Sequence, residues 1–108
     1  MALSLSYWAT RLRESSPTIR NSTLSAGGGS GNRDGIYNDA ATLTYTVTVD
    51  NCQITGSTHS IYNGAGGVSY TTYVGASLLG GGPVAGSGTE ICVFSYDETY
   101  TALDGSCQ

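Results

Sequence analysis

The amino-acid sequence predicts an all-β protein: a β-sandwich or jelly-roll-like domain with an extended N-terminal arm. Residues 42–49 carry the strongest signal, because Leu43, Tyr45, Val47 and Val49 alternate there with Thr42, Thr44, Thr46 and Thr48. Period-two alternation of β-branched and aromatic residues sets one face in a core and the other in water, the pattern of a half-buried strand. Composition agrees. Sixteen glycines, 14 serines and 14 threonines, against 11% charged residues and no lysine, suit hydroxyl-rich sheet faces and tight turns, whereas a helical bundle draws on Ala, Leu, Glu and Lys. Similar short runs recur about ten residues apart between Gly and Asn turns, the spacing of a sandwich.

In chain order, Leu3, Leu5, Tyr7 and Ala9 alternate with Ser4, Ser6 and Trp8. An amphipathic strand is expected there, in preference to a short helix over residues 7–14 that the spacing of Trp8, Arg11 and Leu12 would allow. Pro17 interrupts the pattern, since it fixes its own φ and biases Ser16 toward extended geometry. Residues 18–25, with Ile19 and Leu24, form a second extended piece. The glycine-rich stretch 26–31 has the composition of a flexible linker. The expected division is therefore an arm and linker over residues 1–31 and a β domain over residues 32–108.

Within that domain, Asp34 and Gly35 supply turn chemistry ahead of Ile36 and Tyr37. Asp50 and Asn51 bend the chain after the 42–49 strand, and alternation resumes at Cys52 and Ile54. Residues 59–62 and 68–74 read as strands on either side of Asn63 and Gly64, with Tyr70 and Tyr73 on opposite faces. After a second glycine-rich loop at 80–83, residues 90–96 form another strong strand. Its apolar run from Ile91 to Phe94 predicts cover on both faces. Residues 100–103 are expected to pair back and carry Cys107 toward Cys92.

Charge is unevenly spread. Arg11, Arg13, Arg20 and Arg33 all lie in the first 33 residues, and every later charged side chain is acidic. A basic arm on an acidic body, at net charge −4, excludes nucleic acid as a partner, because phosphate binding needs concentrated Lys and Arg. No apolar stretch approaches the roughly 20 residues of a membrane helix, so membrane insertion is not expected. The first nine residues also lack the basic and continuous apolar regions of a signal peptide. Cys52, Cys92 and Cys107 are disulfide candidates, either Cys92 with Cys107 or Cys52 with one of them. A disulfide implies an oxidising, extracellular setting.

Catalytic chemistry finds little to stand on. His59 is the only histidine and no serine sits in a Gly-x-Ser-x-Gly turn, so a nucleophilic triad is not supported. Asp97 and Glu98 are adjacent, and neighbours on a strand face opposite ways, which is unsuited to a glycosidase pair. The oxygen ligands Asn32, Asp34, Asn38 and Asp39 lack calcium-loop spacing. No catalytic residue, metal or cofactor is expected. Asn21 begins an Asn-x-Thr glycosylation acceptor.

These features point to a self-assembling structural subunit of an extracellular fibre, pilus-like filament or virion surface. An amphipathic arm that cannot satisfy its own backbone can complete a neighbour's sheet, and repeated head to tail the exchange propagates. The expected interface comprises Leu3, Leu5, Tyr7, Trp8, Arg11, Arg13, Ile19 and Leu24, and the partners are further copies of the chain. The alternative is a small β-sandwich module that binds carbohydrate or a receptor through its tyrosines, with glycans as partners.

Overall fold

A computed structural model describes residues 8–13, 15–27, 32–39, 44–64 and 70–108. The described residues are all-β, with eleven strands in three sheets that enclose one core. β1 (Trp8–Arg13), β2 (Thr18–Arg20) and β3 (Thr23–Ala26) form a first circuit. A second follows with β4 (Asp34–Asp39), β5 (Tyr45–Asp50) and β6 (Gln53–Gly56), and a third with β7 (His59–Asn63), β8 (Tyr70–Gly75) and β9 (Leu78–Gly81). β10 (Ala85–Gly86) and β11 (Gly88–Val93) begin a fourth.

Each circuit adds one strand to each sheet. The sheet orders are β1-β4-β7-β10, β11-β8-β5-β2 and β3-β6-β9, and every pairing in them is parallel. The all-β class is as expected, and sheets do face one another across a core. The pairing departs from a sandwich or jelly roll, in which hairpins join antiparallel neighbours. Here the connection between neighbouring strands of one sheet is a whole circuit through the other two, so the chain winds as a parallel solenoid. The segment expected as an arm takes part in this coil: β1, β2 and β3 pair with β4, β5 and β6 of their own chain. Leu3, Leu5 and Tyr7 lie outside the described residues.

Because pairing is in register, like side chains stack from rung to rung. Ile36 lies beside Ile61, Val49 beside Val74 and Ile54 beside Leu79, all at most 4% exposed. Burying each such side chain is worth about 1.5–3 kcal/mol. The alternation read from residues 42–49 holds in β5, where Val47 and Val49 are fully buried and Thr46 is exposed. Tyr70 is buried and Tyr73 is 45% exposed, as their parity requires. The apolar run after Glu90 behaves differently. Cys92 is buried, but Ile91, Val93 and Phe94 are exposed, because β11 belongs to a sheet whose outer face carries no further layer.

Polar ladders accompany the apolar ones. Asn38 Nδ2 donates to Asn63 Oδ1 at 2.8 Å and to Thr72 Oγ1 at 3.2 Å, with all three residues fully buried. At the corner between the second and third sheets, Asn21, Asn51, Ala76 and Phe94 occupy equivalent places in successive rungs. All four have left-handed backbones, with φ of 50, 52, 47 and 52°. Asn51 Nδ2 donates to Asn21 Oδ1 at 2.7 Å, so two corners share a side-chain ladder. Asparagine suits such a corner because its short amide tolerates positive φ and bonds locally.

Candidate functional site

The two ends of the solenoid differ, and the residues expected to form an interface lie mainly at one of them. β1, β2 and β3 are the outermost strands of their sheets at the N-terminal end. Leu12, Ile19 and Leu24 point from these strands onto the core and are only partly buried, closing it on that side. Outward from the same strands stand the exposed Arg11, Arg13 and Arg20. Trp8, Arg11, Arg13, Ile19 and Leu24 are thus gathered on a single rung.

Neighbouring groups tie some of them down. The Arg11 guanidinium meets Asp39 Oδ2 at 2.5 Å and lies 5.3 Å from the centre of the Trp8 ring. Trp8 in turn stacks on Tyr37, with ring centres 5.2 Å apart, and Tyr37 stacks on Tyr62 at 5.7 Å. Burial, helped by the nearby Asp39 carboxylate, holds the Tyr37 phenol above its ordinary pKa. Asn21 is exposed at its corner, where its side-chain oxygen accepts from Asn51.

The C-terminal end is built differently. After β11 the chain folds across that end, held by a disulfide between Cys92 and Cys107 with Cα atoms 5.2 Å apart. Cys92 N–H donates to Gly105 O, Leu79 N–H to Tyr96 O and Leu103 N–H to Ser95 O, so the tail supplies partners for strand edges that would otherwise be open. Residues 100–103 contribute one antiparallel bridge, Ala102 to Tyr96, rather than a full strand. Cys52, the remaining cysteine, is a buried thiol that donates to Asp50 O at 3.3 Å.

Acidic groups cluster at this end. Asp97 is held below the ordinary carboxylate range by hydrogen bonds from the Thr99 hydroxyl and the Thr101 and Thr99 amides. Asp104 is lowered by the Gln108 amide and by Ser106. Glu98 accepts from Gly81 N–H at 2.9 Å. Glu90, on β11 beside the buried Thr72, receives a hydrogen bond from Asn63 Nδ2. Burial raises the Glu90 pKa, and the Asn63 bond only partly offsets it.

His59 and Asp34, read in the sequence as an isolated histidine and a turn carboxylate, come together with Nδ1 and Oδ1 2.8 Å apart. Residue spacing alone conceals that pairing, but the 25-residue offset between them is also the offset between Ile36-Tyr37-Asn38 and Ile61-Tyr62-Asn63. This repeated tripeptide is the visible signal of the rung period. Among known proteins, no family, no curated sequence and no solved structure matches the chain.

Proposed function

We propose that this chain is a self-assembling structural subunit of an extracellular fibre, pilus-like filament or virion surface, with copies joined head to tail. The supporting observation is that the outermost strands at one end of the solenoid carry Arg13 and Arg20, while the tail folded across the other end carries Asp97, Glu98 and Asp104. Two basic ends repel, so pairing of like ends is disfavoured, whereas unlike ends attract. A contact between unlike ends leaves one of each free and therefore propagates. In such a stack the outer edge of β1 meets β10 of the next copy, and both belong to the same parallel sheet. The residues ahead of Trp8, with alternating Leu3, Leu5 and Tyr7, supply the exchanged strand.

Sedimentation velocity across ionic strength tests this reading. The full chain should form long assemblies in low salt that dissociate as salt screens the end charges. Reversing Arg13 and Arg20 to Glu, or removing residues 1–7, should leave single copies. A full chain that sediments as a monomer at every ionic strength would refute the proposal.

A further inference from the structure

Three of the four strands of the first sheet, β1, β4 and β7, contribute large rings to one stack. Trp8, Tyr37 and Tyr62, from these successive strands, stack ring on ring with centres 5.2 and 5.7 Å apart and planes within 16° and 9° of parallel. Tyr37 lies in register with Tyr62, whereas Trp8 starts opposite Asp34 and leans onto Tyr37. The His59 ring, on the same strand as Tyr62, lies 4.9 Å from the Tyr62 ring. Beside the stack runs a cleft of about 400 Å³ lined by Trp8, Asn32, Asp34, Tyr37 and Tyr62. Stacking occupies the ring faces and leaves the ring edges, which carry the phenol hydroxyls, for contacts at the side of the stack. Asp34 is only 3% exposed, and its carboxylate is oriented by His59 Nδ1.

We infer that this cleft is a binding site for a linear neutral glycan lying along the solenoid axis. The ring centres repeat at 5.2 and 5.7 Å, close to the length of one pyranose unit in an extended chain. Each rung can therefore address one sugar. The cleft lining offers phenol hydroxyls that both donate and accept, the Asn32 amide and the Asp34 carboxylate, an inventory suited to sugar hydroxyls. Nearby charge is internally compensated, since Arg11 faces Asp39 at 2.5 Å, which favours a neutral ligand over a charged one.

Because Trp8 belongs to the terminal rung, binding is measured in high salt, where end-to-end assembly is dissociated. Trp8 is the sole tryptophan, so its fluorescence reports on the site directly. Cello-oligosaccharides and xylo-oligosaccharides of increasing length, titrated into the full chain in high salt, should change Trp8 emission saturably in one series. Affinity should climb until three sugars are bound and then level off, matching the three rings. Tyr37→Phe and Tyr62→Phe keep the stack but remove a hydroxyl, and each should weaken binding about fivefold to tenfold. Asp34→Asn should weaken it further. No emission change with either series, or affinity unaltered by both Phe variants, would overturn the inference.

Discussion

Ala76 occupies a corner that asparagine fills in the two preceding rungs, and Ala76→Asn should therefore stabilise the protein. Its backbone is left-handed, with φ of 47°, a conformation that costs an L-residue without a locally bonding side chain roughly 1–2 kcal/mol. Asparagine lowers that cost. It also extends the ladder, because Asn51 Nδ2 already donates to Asn21 Oδ1 at 2.7 Å, and an asparagine one rung on can repeat that bond onto Asn51 Oδ1. An exposed side-chain hydrogen bond adds at the low end of about 0.5–1.5 kcal/mol. The expected gain is about 1–2 kcal/mol in urea unfolding, or roughly 5 °C or more in Tm for a domain of this size. Ala76→Gly is the control, since it relieves the backbone but forms no ladder bond and adds unfolded-state entropy. An Asn variant no more stable than the Gly variant would remove the ladder from the argument. If neither exceeds the parent chain, the assignment of strain to this corner is wrong.

Asn63→Ala removes the acceptor of Asn38 Nδ2 and the donor to Glu90 at once, so a loss of about 2–4 kcal/mol is expected in denaturant unfolding. The same variant should push the Glu90 pKa still higher by NMR titration, since the Asn63 bond now holds it down. Glu90 and the two tail aspartates have opposite pH signs. Glu90, raised, favours the fold at acid pH and loses that contribution as pH climbs through its folded pKa, while Asp97 and Asp104, lowered, lose theirs as pH falls. Glu90→Gln should thus remove the acid-side gain and steepen acid unfolding relative to the parent. Replacing Cys92 and Cys107 with serine opens a loop spanning 15 residues and should cost about 3 kcal/mol by equilibrium unfolding. Hydrogen exchange should locate the loosening in residues 94–108.

Much of the local structure was legible in the chain. Alternation identified β5 and the buried status of Val47 and Val49, and near the N-terminus it favoured strand over helix, although the strand observed there, Trp8–Arg13, lies mostly beyond the alternating residues 3–9 that predicted one. It also placed Tyr70 and Tyr73 on opposite faces, and one of the expected cysteine pairings joins the tail to β11. Of the candidate interface, Arg11, Arg13, Ile19 and Leu24 were chosen for charge or apolarity alone, yet they share a rung with Trp8 because β1, β2 and β3 complete a single circuit.

Side-chain period is where sequence reading stops. A strand alternates every two residues whether its neighbour runs parallel or antiparallel, so alternation states which face is buried and leaves the partner open. Composition and alternation settled the all-β class and the inward residues. Only the tertiary structure decided that neighbours in a sheet come from successive circuits, joined by register between residues such as Asp34 and His59 that lie 25 apart. That choice is made by stacking: like side chains placed above one another, Ile36 on Ile61 and Asn38 on Asn63, satisfy burial and hydrogen bonding together, and no isolated stretch contains both members of such a pair.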